Sequence, residues 1–308
     1  MSSGDREARA GLLYGIAAYG LWGLMPLYFL QMAPAGAFEI VGFRILFSLV
    51  FCVVLLAVTH GFGRFRGLLG DRRAVASFAL AGGLIWVNWT VYVLAAVTGR
   101  VVDAALGYFI NPIVTILLGV IVQRERLRSV QWVAIGISAL AVVVLAVETG
   151  SVPWISLGLA FSFGFYGLVK KRLGRIDAVS GLTLETAWLA PVAAVQLAVV
   201  GATSGLAYGS AGWYPTLMLT SAGVGTAIPL LAFAASTRRL PLSVVGFLQY
   251  LAPILQLGFG VLVLHEPMPF ARWVGFALVW LALLVLVGES IVRSARSHRS
   301  PVPVTEPV

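Results

Sequence analysis

The sequence predicts an all-α membrane protein of ten transmembrane helices, arranged as two inverted five-helix repeats. Three observations carry this. Apolar runs of about 20 residues, the length needed to cross hydrocarbon, recur from one end of the chain to the other. Charged residues make up only 11% of the 308 residues, against roughly 25% in soluble proteins. The chain also repeats itself. Pro253 follows Pro112 by 141 positions, and the same offset carries Gly119 onto Gly260, Glu125 onto Glu266 and Trp132 onto Trp273.

Ten spans are predicted, over residues 11–31, 36–58, 74–98, 103–122, 130–148, 152–169, 179–201, 214–236, 241–264 and 272–288. The first follows Arg6 and Arg9. It is too long for the core of a signal peptide and has no small-residue cleavage site, so it is expected to be retained as a helix. The second contains Glu39 and Arg44, and the third contains Asn88-Trp89 and Tyr92. The fourth opens on Asp103, where a carboxylate favours the helix dipole. Residues 11–148 form the first repeat and 152–288 the second, with a segment 1–10 before them. The tail 289–308 holds Arg, Ser and Pro without apolar periodicity and is expected to be a disordered cytoplasmic segment.

Pro112, in Gly107-Tyr108-Phe109-Ile110-Asn111-Pro112, removes a backbone donor near the middle of the fourth span. Pro253, in Leu248-Gln249-Tyr250-Leu251-Ala252-Pro253, does the same in the ninth. A freed carbonyl is costly in hydrocarbon, so both spans are expected to be broken helices whose breaks face protein or a watery cavity.

Orientation follows from Lys and Arg. With the N-terminus in the cytoplasm, cytoplasmic segments hold Arg6, Arg9, Arg64, Arg66, Arg72, Arg73, Arg124, Arg126 and Arg128. They also hold Lys170, Lys171, Arg172, Arg175, Arg238, Arg239, Arg293, Arg296 and Arg299. The opposite side holds Arg100 and Arg272, and Arg44 lies within a span. Both termini are therefore expected inside. Five helices is an odd number, so the second repeat enters the membrane from the other side and the two are inverted. Inverted repeats with broken helices near the midplane are a recurrent plan for secondary transporters.

The net charge of +9 does not indicate nucleic acid, because the basic residues sit in short clusters between apolar runs. Cys52 is the sole cysteine, and His60, His265 and His298 show no ligand spacing, so no disulfide, metal or cofactor is expected. No P-loop or dinucleotide fingerprint appears. A membrane-embedded enzyme would gather acid, base and nucleophile at one depth, and a scaffold or sensor would carry soluble domains. The sequence shows neither pattern.

Several consecutive motifs resemble one family. They are Asn88-Trp89 with Tyr92, Leu106–Pro112, Glu125-Arg126-Leu127, Gln131-Trp132, Glu185-Thr186 with Pro191, and Ile228-Pro229-Leu230. To these are added Arg238–Leu242, Gly246–Tyr250 with Pro253, and the N-terminal Trp22-Gly23 with Pro26, Tyr28, Phe29, Glu39 and Arg44. Over residues 11–288 the chain resembles the RarD group of the EamA branch of the drug/metabolite transporter superfamily. Gln31 departs from the pattern, standing near where the group has a basic residue. The resemblance implies a ten-helix permease of the bacterial inner membrane. Its partners would be a small metabolite or drug-like solute, protons and the lipid bilayer, with export as the direction.

Glu185 lies about 10 Å into its helix at 1.5 Å per residue. An ionisable group at that depth is a functional candidate, for proton coupling, for binding a cation or for a structural ion pair. Arg44 is related to it by the same 141-residue offset. Equivalent residues meet near a two-fold axis, so the two are expected to be close neighbours, as a salt bridge. Glu39 is a candidate substrate contact or a solvated interfacial group. Glu125 and Glu266 are expected to anchor loops. Asn88, Tyr92, Asn111, Gln249 and Tyr250 supply uncharged hydrogen-bonding groups, as cavity lining or as interhelical ties, with Asn111 and Gln249 expected to line a cavity. Trp22, Trp86, Tyr19 and Tyr28 are candidate pocket aromatics or interfacial packing.

Overall fold

The computed structural model describes residues 3–124, 129–173, 176–237, 239–240, 244–245 and 248–297. Among them every regular element is helical. The helices are α1 (Ser3–Leu30), α2 (Ala37–Val58), α3 (Phe62–Leu69), α4 (Arg72–Val97), α5 (Val101–Gln123) and α6 (Ser129–Thr149). They continue as α7 (Trp154–Leu173), α8 (Ala178–Thr203), α9 (Trp213–Thr237), α10 (Leu251–Leu262) and α11 (Phe270–Ser297).

Among the described residues eight helices are long and apolar enough to cross a membrane. Where the sixth and ninth spans are expected, the structure has the shorter apolar helices Trp154–Lys170 and Leu251–Leu262. Asp71 starts α4 by accepting from the amides of Arg73 (2.9 Å) and Ala74 (3.1 Å), and Asp177 starts α8 by accepting from Ser180 (3.0 Å). Both carboxylates satisfy orphan donors at a positive helix end.

Three expectations change. Pro112 lies inside a continuous α5 and does not interrupt it. Pro253 sits in the first turn of α10, where a missing donor costs nothing, and the interruption is the turn at Gln249 and Tyr250 just before it. The last helix runs to Ser297, so 289–297 of the expected tail is helical. No proline intervenes there, and Glu, Arg and Ala propagate a helix well. The short α3 was not foreseen. Its Arg64 pairs with Asp177 at 3.8 Å. The Glu125 loop lies outside the described residues.

The chain divides into two compact units. The smaller comprises Ile116–Pro153 and Met268–Val308, where α6 packs on α11 and Gly275 admits the Leu145 side chain. The larger comprises Met1–Thr115 and Trp154–Pro267 and contains the main core. Its neighbours follow a two-fold rule. Helix α2 meets α9 as α8 meets α4; α1 meets α9 as α7 meets α4; α2 meets α4 as α8 meets α9. Helices α2 and α8 are symmetry mates that pack on each other. They run antiparallel, with Phe38 opposite Gln196 and Cys52 opposite Thr183, as an inverted pair must.

Lipid is as apolar as leucine, so helices associate through close packing and small residues. Gly223 of α9 lies against the Phe47 carbonyl of α2, and a Cβ there would collide with it. Gly107 touches the Ser156 backbone in the same way, at 2.7 Å. Gly223→Ala is expected to cost about 1–3 kcal/mol through forced separation of α2 and α9, read as a lower Tm of the purified protein. Gly258→Ala adds its methyl to open space and is expected to leave Tm unchanged or slightly raised. Equal Tm values for the two variants would contradict the close α2–α9 approach.

Candidate functional site

The larger unit buries a polar column between its helices. At one end is Arg44, 5% exposed, on α2. Its Nε donates to Thr226 Oγ1 of α9 at 2.7 Å, and Thr226 in turn donates to the Ala222 carbonyl at 2.8 Å. The guanidinium lies 4.2 Å from the Trp89 ring centre and 5.5 Å from that of Phe29, within cation–π range. The hydroxyls of Tyr108, Tyr92 and Tyr28 are near enough to feel its charge. Its Nη1 is buried, with no hydrogen-bond partner among the described residues.

Beside Arg44 a proline dictates the chemistry. Pro26 cannot donate to the carbonyl four residues earlier, that of Trp22. Two side chains from other helices take over. Tyr92 of α4 donates its hydroxyl to Trp22 O at 3.3 Å, and Gln256 of α10 donates Nε2 to the same atom at 3.2 Å. Gln256 Nε2 also donates to the Tyr92 hydroxyl at 2.9 Å. The Trp22 ring packs on Tyr19 (5.3 Å) and Phe233 (5.8 Å). The backbone of Trp22 thus belongs to the column more directly than its ring does.

Asn88 ties α4 to α7. Its Nδ2 donates to Leu159 O (3.2 Å) and Ser162 Oγ (3.1 Å), and its Oδ1 accepts from the Tyr108 hydroxyl (3.3 Å). A run of edge-on and tilted rings continues from there: Phe29–Tyr92 (5.9 Å), Tyr92–Tyr108 (5.6 Å), Tyr108–Phe163 (6.2 Å) and Phe163–Tyr166 (5.8 Å). It ends on Glu185 of α8. That carboxylate accepts from Lys170 Nζ at 2.7 Å and from the Tyr166 hydroxyl at 3.2 Å, both on α7. Glu185 is buried, while the Lys170 side chain is 36% exposed and rests over the Phe78 ring.

The expected Arg44–Glu185 pair is therefore corrected: each side chain is engaged elsewhere. An axis in the membrane plane reverses depth, so equivalent residues meet only at the midplane. In the α2–α8 register Arg44 lies opposite residue 190, which sets Glu185 roughly 8 Å away along the axis. Thr226 and Lys170 take the places that the symmetry argument assigned to the partners.

Glu39 is 2% exposed rather than solvated and accepts from the Tyr208 amide at 2.8 Å. Tyr208 stacks on Phe43 at 4.3 Å, so Glu39 fastens the α8–α9 connection to the start of α2. Glu266 anchors as expected, accepting from the amides of Val101 (2.6 Å) and Val102 (3.0 Å) at the start of α5. Asp103 pairs with Arg100 at 2.7 Å. Trp86 donates to Gln196 Oε1 at 3.1 Å, and Tyr28 donates to Met218 O at 3.0 Å. Asn111 is half-buried with a partnerless Oδ1. Tyr250 stacks on Phe109 at 6.4 Å, and Gln249 lies beside it in the turn before α10. Among the described residues, Asn111, Gln249 and Tyr250 stand outside the hydrogen bonds and ring contacts of the Arg44–Glu185 column. Sequence reasoning missed Gln256, Thr226, Tyr166 and Lys170. A signal existed for Gln256, the one amide in the run Leu251–Leu262.

The profile of the EamA-like transporter family matches the chain twice, over residues 9–147 and 151–288. The chain belongs to the EamA-like transporter family. It is similar to the protein RarD of Streptomyces exfoliatus, 45% identical over 303 residues, which spans 98% of this chain and 96% of that one. It is also similar to the uncharacterized transporter YojE of Bacillus subtilis (strain 168), 40% identical over 298 residues, covering 95% and 99% of the two chains. A solved crystal structure shares the fold at a TM-score of 0.59 and 18% identity, covering 89% of this chain and 96% of that one. The apolar helices and this family membership make it a multi-pass membrane transporter.

Breaking the Glu185–Lys170 pair from either side has unequal consequences. Lys170→Met leaves a buried carboxylate without its cation and is expected to cost about 3 kcal/mol, the low end for such a loss because Lys170 is partly exposed. The Lys170→Met/Glu185→Gln double variant removes the charge as well, and its Tm is expected to recover toward wild type. Additive losses in this cycle would contradict the pairing.

Proposed function

We propose that the protein is a secondary transporter that exports a small metabolite or drug-like solute across the bacterial inner membrane by alternating access, with both termini in the cytoplasm. The observation that carries this reading is the doubled family match over residues 9–147 and 151–288, which takes up nearly the whole chain. Two structurally equivalent halves can exchange conformations, opening one central site to either side in turn. The polar column supports the reading further. Buried charges and hydroxyls are costly inside a membrane protein and mark solute pathways. In the cytoplasmic-termini orientation Arg44 sits toward the outer side and Glu185 toward the inner side, so the column runs along the direction of transport.

A second reading, in which a proton is the coupled ion, is favoured by the Glu185 contacts. Its cation and its hydroxyl donor both come from α7. Movement of α7 away from α8 strips the carboxylate of both partners, and an unpaired carboxylate in low dielectric takes up a proton. While α7 and α8 stay together, Glu185 is a structural tie to Lys170 and Tyr166.

The test uses purified protein in liposomes loaded with a pH-sensitive dye and challenged with amino acids, other metabolites and chloramphenicol. Solute-dependent proton flux in wild type that disappears in Glu185→Gln is the outcome expected of coupling. Radiolabelled solute movement without proton flux assigns exchange or uniport and leaves Glu185 structural. Absence of any solute movement across the panel contradicts the transport of these classes.

A further inference from the structure

We propose that Arg44 is an anion-recognition site and that the transported solute is a small organic monoanion whose carboxylate meets the guanidinium. The inference rests on the transport reading above and names its substrate class.

The first observation is an imbalance of charge. Arg44 is buried, yet among the described residues no carboxylate is paired with it. Those carboxylates whose side chains are described have other work. Glu7 faces Arg239, Glu39 holds the Tyr208 amide, and Asp71 and Asp177 begin α4 and α8. Asp103 pairs with Arg100, Glu185 with Lys170, and Glu266 with the start of α5. A guanidinium in a protein keeps its proton, so its charge has to be met by something other than deprotonation. The ring faces of Trp89 and Phe29 meet part of it.

The second observation is geometric. Nε is committed to Thr226, while Nη1 is fully buried without an acceptor among the described residues. A buried donor left unmade is a substantial cost that proteins seldom leave standing. An acceptor arriving at the Nη edge removes it. That acceptor carries one negative charge, because a dianion would leave an uncompensated charge in the same low-dielectric surroundings. Carboxylate is the monoanion whose planar oxygens fit the guanidinium fork. The surrounding rings of Phe29, Trp89 and Tyr92 suit an apolar or aromatic body on the same molecule.

The experiment uses the full-length protein purified in detergent, with benzoate as probe and Tm as readout, since a ligand of the folded state raises Tm as its concentration passes its Kd. Benzylammonium, benzyl alcohol and sodium chloride at equal concentration are the comparison solutes. Arg44→Met, Arg44→Lys and Gly258→Ala are measured alongside. Benzoate is expected to stabilise wild type and Gly258→Ala alike, while benzyl alcohol and benzylammonium leave Tm unmoved. The apparent Kd is expected to weaken at least about tenfold in Arg44→Lys and further in Arg44→Met, as for a lost hydrogen bond to a charged group. Arg44→Lys keeps the buried charge, so it preserves the test if Arg44→Met does not fold. Benzoate without effect on wild type at 50-fold above millimolar, an undiminished response in Arg44→Lys, or equal stabilisation by chloride or benzylammonium would each overturn the proposal. Solute flux with no benzoate response refutes only this assignment. A benzoate response without flux of any solute refutes the transport reading and leaves the anion site standing.

Discussion

The carbonyl of Trp22 concentrates the constraint under which this structure is built. Pro26 deprives it of its helical donor, and there is no water in hydrocarbon to replace the bond. Tyr92 and Gln256 supply the donors, from α4 and α10, so one missing amide in α1 ties three helices together. Tyr92 then places its ring between Phe29 and Tyr108, and Tyr108 reaches Asn88, which binds α7. The same necessity that satisfies the backbone therefore sets a line of hydroxyls and rings through the core. Arg44 and Glu185 stand at its two ends because that line is where a charge can be solvated by protein.

Inverted symmetry gives this core its neighbours but not its contacts. The helix pairs repeat under the two-fold rule, and α2 lies antiparallel to its mate α8. The side chains on those mates have diverged. Arg44 takes a hydroxyl and two aromatic faces, whereas Glu185 takes a lysine and a tyrosine. The two ends of the column are therefore chemically distinct, an arginine at one and a carboxylate–lysine pair at the other.

Much of the fold was legible in the sequence, because hydrophobic span length is a direct consequence of bilayer thickness. The repeat was legible too, since Gly119, Glu125 and Trp132 keep their spacing to Gly260, Glu266 and Trp273. Glu266 as an anchor followed from its place after a span. The site was less legible. Residue spacing along one chain does not report how far two antiparallel helices have slid, and that slide is what separates Arg44 from Glu185. Pro112 and Pro253 look alike in sequence, yet one lies within a continuous helix and the other in a first turn. Thr226 carries no sequence signal beyond a hydroxyl in an apolar run, and Lys170 carries only the signal of a cytoplasmic basic cluster although its side chain reaches Glu185.

The most direct measurement is the accessibility of the column from both sides of the membrane. A single cysteine at position 108, Tyr108→Cys in a Cys52→Ser background, is challenged with a membrane-impermeant thiol reagent in right-side-out and in inverted vesicles. Alternating access predicts labelling from both sides, with each rate lowered by saturating solute. Labelling from one side alone, or from neither, would contradict a pathway through this core.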